Sequence, residues 1–301
     1  MAKKSNKRFI DPGKLTQISR MELVARQAVE GFLSGLHPSP YYGSSVEYAD
    51  HRPYTMGDEI RTIDWKLLAK TDKYYVKLFE EQTNTRCTLL LDVSNSMKFG
   101  PNPLATKLEY ACQLTAALSY LAIRQNDAVG LTLFDSDIRQ YLPARSTAYH
   151  FRQILDQLET VEAGSDTGIG HVLHQMAARV KQRGLVIVIS DLIDDVDAIT
   201  DGLAHFRYKK HEVIVFHILD TAEIDFPYDK TTRFKDIEGT GSIIANPRSV
   251  KTKYQERLNQ WLDDVRRGCL ERGIAYELAT TDTPWDQTLR AYLARRKQAS
   301  R

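Results

Sequence analysis

Asp92, Ser94 and Ser96 put three oxygen-bearing side chains on alternating positions of the loop Asp92-Val93-Ser94-Asn95-Ser96. Such donors suit a hard divalent cation, and magnesium takes six of them in octahedral array at roughly 2.0 to 2.1 Å. The loop supplies at most three. Asp191 offers a carboxylate from far along the chain, and the loop Gly164-Ser165-Asp166-Thr167-Gly168 offers Thr167, with Ser165 and Asp166 as alternatives. The remaining positions fall to water and to a group from outside. If neutral hydroxyls touch the ion while Asp92 and Asp191 act mainly through waters, the ion keeps much of its charge and favours an external carboxylate. Magnesium is the expected ion, and manganese or calcium suits the same donors. The plainer reading of either aspartate alone is a helix cap or turn residue.

The elements that must position these residues are legible in the hydrophobic pattern. Asp92 follows the apolar run Thr88 to Leu91, and Asp191 follows Leu185 to Ser190. From Leu91 onward short β-branched runs alternate with helical patterns, which predicts an α/β fold: a doubly wound, mostly parallel sheet with helices on both faces. About six sheet strands are expected: Thr88 to Leu91, Val129 to Phe134, Ile138 to Leu142, Leu185 to Ile189, Glu212 to Leu219 and Ile274 to Leu278. Helices are expected over Lys107 to Arg124, apolar around most of its circumference and hence deeply buried, and over Ala148 to Glu159. Another runs from the Gly164 to Gly170 loop to about Lys181, with Gly184 ending it. Two more span Val250 to Arg272 and Pro284 to Arg296, and a hairpin is expected between Phe234 and Ile244. In such a sheet ligands sit beyond the carboxyl ends of the strands, where Asp92 and Asp191 are both delivered.

Residues 1–82 break the alternation and are expected to form an N-terminal helical and strand extension packed on the main domain, residues 83–301. Helix Gly13 to Leu36 carries Ile18, Met21, Val24, Ala28, Phe32 and Leu36 mostly at helical spacing. A turn-rich stretch, His37 to Asp58, precedes a short helix near Ile60 to Ala69 and a strand from Tyr74 to Phe79. Within Gly57 to Trp65, Asp58 and Arg61 are spaced for a local pair at a helix start, while Ile60, Ile63 and Trp65 are expected to anchor the extension.

The combination of D-x-S-x-S with a distant Thr and a distant Asp resembles the von Willebrand factor A-like fold and its metal-ion-dependent adhesion site. That resemblance implies a metal held by Asp92, Ser94, Ser96, Thr167 and Asp191. A second match is similar to the bacterial family named domain of unknown function 58: Ala49 to Trp65 (ADHRPYTMGDEIRTIDW), YYVKLFEE, LLLDVSNSM and the run from Phe234 through Asp282. Many relatives read Gly-x-Thr-Asp at the Thr loop, whereas here one residue is inserted and Gly168 follows Thr167. Members of that family are commonly encoded beside MoxR-type AAA+ ATPases, which implies such an ATPase as partner and a chaperone-like or assembly role.

Composition narrows the classes further. Among 301 residues, 41 basic and 39 acidic side chains leave a net charge of +2, so no bulk field draws in nucleic acid. No apolar run reaches the length of a membrane span, and the first residues lack a signal-peptide core, so a cytoplasmic location is expected. Cys87, Cys112 and Cys269 are odd in number and set in apolar contexts, as buried thiols would be. His171 and His174 share a helix face without further ligands at matching spacing and are expected to be surface or packing residues. Asp194, Asp195 and Asp197 are expected to form an acidic loop capping the next helix.

The function expected is non-enzymatic: a protein-interaction module whose metal receives an acidic group of a partner. The alternative is a magnesium-dependent phosphohydrolase with Asp92 as nucleophile. A haloacid-dehalogenase-type site of that kind wants a second carboxylate where Ser94 stands, and a lysine in the site. No G-x-x-x-x-G-K-[ST] loop is present for nucleotide hydrolysis.

Overall fold

The computed structural model describes residues 46–56, 63–81, 85–100, 106–164, 168–235 and 241–299. They fall into two compact units, one within His37–Thr85 and one within Arg86–Arg301. The expected helix Gly13 to Leu36 and most of Gly57 to Trp65 lie outside the described residues.

In the smaller unit, β1 (Val46–Pro53) pairs antiparallel with β2 (Tyr75–Glu81), and α1 (Trp65–Thr71) lies between them in sequence. The stretch expected to be turn-rich therefore contains a strand. Its cross-strand partner follows some twenty residues later, so the pairing carries no local hairpin signal for Val46–Pro53. Asp64 caps α1 by accepting from the Lys66 and Leu67 amides at 2.9 and 3.1 Å. Ile63 is buried as expected, whereas Trp65 is 57% exposed.

The larger unit is a six-stranded sheet built from β3 (Arg86–Asp92), β4 (Ala128–Phe134), β5 (Ile138–Arg145), β6 (Leu185–Ser190), β7 (Glu212–Leu219) and β10 (Ala275–Thr280), in the order β10-β7-β6-β3-β4-β5. All neighbours are parallel except the β4–β5 pair. Period-two alternation sends Leu89, Leu91, Ile187 and Ile189 to one face and Leu90, Val186 and Val188 to the other. The first face is covered by α2 (Lys107–Arg124), α3 (Ala148–Thr160) and α8 (Trp285–Ala299). The second is covered by α4 (Ile169–Arg179), α5 (Val196–Tyr208) and α7 (Pro247–Glu271). This is the doubly wound α/β architecture that the alternating pattern predicts. A short α6 (Thr221–Asp225) follows β7, and β8 (Thr232–Lys235) pairs antiparallel with β9 (Ser242–Ala245). Cys87, Cys112 and Cys269 are buried and form no disulfide with one another.

The chain leaves β3 toward β4 on one side and later places β6 on the other, so the sheet reverses direction between β3 and β6. A crevice opens at such a reversal, and Asp92 and Asp191 flank it. Two glycines hold the surroundings. Gly184 does not end α4, which stops at Arg179 with Val180 in extended conformation. Instead Gly184 leads into β6, where an added Cβ would fall on the Arg86 carbonyl. Gly170 stands in the first turn of α4, where a Cβ would lie 2.8 Å from Ala198 Cβ and 3.1 Å from its carbonyl oxygen. The glycine thus sets the start of α4, immediately after the Thr167 loop, hard against α5. Gly170→Val is expected to lower unfolding free energy by about 1 to 3 kcal/mol through overpacking, measured by urea denaturation.

Candidate metal centre

The Asp92 loop is locked by its backbone. The Val93 amide donates to the Phe134 carbonyl at 2.7 Å, tying the loop to the end of β4, while Val93 and Met97 are wholly buried beneath it. Ser94 precedes a 3-10 turn, Asn95–Lys98, yet its side chain caps nothing. Its hydroxyl instead lies 3.0 Å from that of Ser96, and both serines are buried. Asp92 is fully buried: Oδ1 accepts from the Ser94 amide at 2.9 Å and Oδ2 accepts from the Ser190 hydroxyl at 2.6 Å. Ser190 also accepts from the Leu192 amide at 2.9 Å, so it holds Asp92 and turns the chain out of β6.

Asp191 is equally buried, and its two oxygens differ. Oδ2 accepts from Lys107 Nζ at 2.8 Å, whereas Oδ1 has no hydrogen-bond partner among the described residues. Lys107 is the first residue of α2 and is itself wholly buried, with Glu223 Oε1 2.7 Å from Nζ. Glu223 belongs to the capping box of α6, where its other oxygen accepts from the Asp220 amide at 2.8 Å. The structure thus brings Asp92, Ser94, Ser96 and Asp191 to one edge of the sheet. Thr167, with Ser165 and Asp166, lies outside the described residues. The residue that opens that stretch, Gly164, donates its amide to the Val93 carbonyl of the Asp92 loop.

Sequence reasoning missed Ser190, Lys107 and Glu223. For Lys107 a signal exists: a lysine at the first position of a helix opposes the macrodipole and needs acidic company. Ser190 and Glu223 carry no such mark. Two further acids end neighbouring strands. Asp135, after β4, forms an ion pair with Arg139, and Asp220, after β7, accepts from the Ala222 amide and the Thr281 hydroxyl. Both are engaged in local structure, which leaves Asp92 and Asp191 to face the reversal point.

Electrostatics follow from burial. Desolvation, and then the Asp191 charge, push the Asp92 carboxyl up to about 7, with the hydrogen bonds from Ser190 and Ser94 pulling the other way. Burial would depress Lys107, but the charges of Asp191 and Glu223 outweigh it and raise the ammonium. Burial drives core His217 down to about 4 against a weaker pull from Asp191, so it is neutral at pH 7. Lys107 is therefore the cation that answers Asp191.

These residues fit a hard cation on two counts. Cis ligands of an octahedral ion at roughly 2.0 to 2.1 Å stand roughly 2.9 Å apart, close to the 3.0 Å between the two serine hydroxyls. A buried carboxylate oxygen without a donor, Asp191 Oδ1, is an acceptor that a cation or its water would fill. Among the described residues no group of three or more His, Cys, Asp or Glu side chains forms a metal cluster. Any ion here would rest on two carboxylates and neutral hydroxyls. His174 and His205 meet on the surface, with Nδ1 atoms 3.4 Å apart, and Asp195 caps α5, the plainer roles expected for this histidine and these acids.

The raised Asp92 value makes a sign-definite prediction for the metal-free protein. The unfolded chain releases this proton near 3.8 and the folded chain near 7, so the stabilisation it gives is complete below 3.8 and is lost as the pH rises through 7. Chelator-treated protein is expected to be less stable at pH 8 than at pH 5 by on the order of a few kcal/mol from this group, and Asp92→Asn should shrink the difference measured by denaturant titration. Ser190→Ala, which strips a donor from Asp92 and an acceptor from the Leu192 amide, is expected to cost about 1 to 3 kcal/mol in the same assay.

The chain is similar to several known proteins. It is 22% identical over 294 residues to the uncharacterized protein Rv1480 of Mycobacterium tuberculosis, covering 96% of this chain and 92% of that one. Among solved structures it is similar to the conserved hypothetical protein BatB from Bacteroides thetaiotaomicron (TM-score 0.46, 19% identity, 71% of this chain and 99% of that one). It is also similar to the SpRpn10 VWA domain (TM-score 0.42, 12% identity, 68% and 93%). Among the described residues no helix is long and apolar enough to cross a membrane. The family model described as protein of unknown function DUF58 matches residues 50–261, well over half of the sequence, and the chain belongs to that family.

Proposed function

We propose that this chain is a non-enzymatic, metal-dependent protein-interaction module. A divalent cation, most simply magnesium, is held by Asp92, Ser94, Ser96 and Asp191, with Thr167 completing the set, and it receives the carboxylate of an acidic side chain from a partner. The observation that carries this reading is Asp191 Oδ1, a buried acceptor with no donor among the described residues, at the same sheet edge as a buried carboxylate and a touching pair of serine hydroxyls. With neutral hydroxyls touching the ion and Asp92 and Asp191 acting mainly through waters, the ion keeps charge that draws an incoming carboxylate. The partner proposed is a MoxR-type AAA+ ATPase, a choice that rests on the family resemblance.

One observation favours a second reading. Lys107 supplies the lysine that a haloacid-dehalogenase-type phosphohydrolase wants near its acids. Two features weigh against it: Ser94 stands where that chemistry needs a second carboxylate, and both oxygens of Asp92 already accept hydrogen bonds in a fully buried position. A nucleophile needs an exposed oxygen aimed at phosphorus.

With magnesium present, immobilised protein is expected to capture a MoxR-type ATPase from the same organism. Asp92→Ala and Ser94→Ala should each weaken capture by at least about ten-fold while leaving the circular dichroism spectrum unchanged. Capture that survives excess chelator would defeat the metal-dependent reading. Magnesium-dependent turnover of p-nitrophenyl phosphate, abolished in Asp92→Asn, would establish the phosphohydrolase instead.

A further inference from the structure

Lys107 is unusual for where it stands and for what it touches. A lysine at the start of an 18-residue helix meets the positive end of the macrodipole, and burying an ammonium costs several kcal/mol unless its partners are well placed. Two carboxylates answer it, Asp191 at 2.8 Å and Glu223 at 2.7 Å. One would neutralise it. Glu223 is already fixed by the α6 capping box, so it suffices as counter-ion. The second contact therefore acts on Asp191: it occupies Oδ2, while Oδ1 has no partner among the described residues.

We propose that Lys107 is a positioning residue that restrains Asp191, holding one carboxylate oxygen away from the metal so that the cation is bound less tightly but keeps more charge for a partner's acidic group. Glu223 cancels the lysine charge, which makes the restraint local to Asp191 rather than a general repulsion of cations from the crevice. The same linkage ties the site to α6, and through the Tyr254 hydroxyl, which donates to the Glu223 carbonyl at 2.8 Å, to α7. The inference rests on the metal-dependent reading above.

The test uses the full chain with Mn2+ alone, followed by calorimetry, and then acetate added to the Mn2+-loaded protein, followed by water-proton relaxation. The double variant Lys107→Met with Glu223→Gln removes both charges together, which preserves net charge and frees both oxygens of Asp191 for the cation. It is expected to bind Mn2+ about ten-fold more tightly, the scale on which outer-sphere partners tune metal sites, and acetate correspondingly less well. A merely structural role would instead weaken both. Glu223→Gln alone leaves Lys107 committed to Asp191 and is expected to weaken Mn2+ binding. A folded double variant that binds Mn2+ no more tightly than the wild type overturns the inference and leaves the metal reading standing. Wild-type protein without saturable Mn2+ binding overturns both. If the double variant does not fold, Glu223→Gln decides, and unchanged Mn2+ affinity in it counts against the proposal.

Discussion

Two carboxylates, Asp92 and Asp191, end adjacent parallel strands in a region from which water is excluded. A carboxylate taken out of water needs partners to offset its lost hydration. The surrounding structure serves this constraint. Asp92 receives a backbone amide and a serine hydroxyl, which stabilise its charge only in part, and its carboxyl stays well above the ordinary aspartate range. Asp191 receives the buried ammonium of Lys107, which it shares with Glu223. That ammonium in turn needs Glu223, and Glu223 needs the cap of α6 to hold it in place. A chain of compensation thus runs from the centre of the sheet edge to the helix after β7.

The four parallel strands that end in or just before an aspartate show why the crevice falls where it does. Asp135 and Asp220 sit at similar positions on β4 and β7, yet one is bound by Arg139 and the other by a helix start and Thr281. An acid whose oxygens are filled by its own fold has little left for a ligand. Between β3 and β6 the helices depart to opposite faces of the sheet, and the carboxyl ends of the strands remain uncovered by a connecting helix. There the buried Asp191 Oδ1 lacks a donor among the described residues. On the proposed reading a cation fills that gap, and the neutral serines leave its charge available.

Much of this was legible in the sequence. The strands that lead to Asp92 and Asp191 carry the apolar runs Leu89 to Leu91 and Leu185 to Ile189, because a parallel strand covered on both faces has no solvent side. Lys107 to Arg124 is apolar around most of its circumference because most of that helix is buried. Ser94 and Ser96 are recognisable because the spacing that puts them on one side of a loop is local. Where the reading failed, the deciding partner was remote. Val46–Pro53 looks like turn because its strand partner follows some twenty residues later. Gly184 looks like a helix terminator because glycine serves both roles, and only the Arg86 carbonyl pressed against it shows which applies. Trp65 looks like an anchor, but its position on a short helix leaves it exposed.

The sequence by itself determined the α/β order of elements and the donor types at the sheet edge, since hydrophobic periodicity and loop spacing are properties of near neighbours. Tertiary structure alone decided the protonation balance of the site. Asp191 meets Lys107 across 84 residues and Lys107 meets Glu223 across 116, and burial, which sets the strength of each charge, belongs to no single segment. Ser190, next to Asp191 in sequence, donates not to its neighbour but to Asp92, 98 residues away. Which acid is held and which oxygen stays open is set by the packing of α2 and α6 against the strand ends, because electrostatic partners are chosen by distance in space.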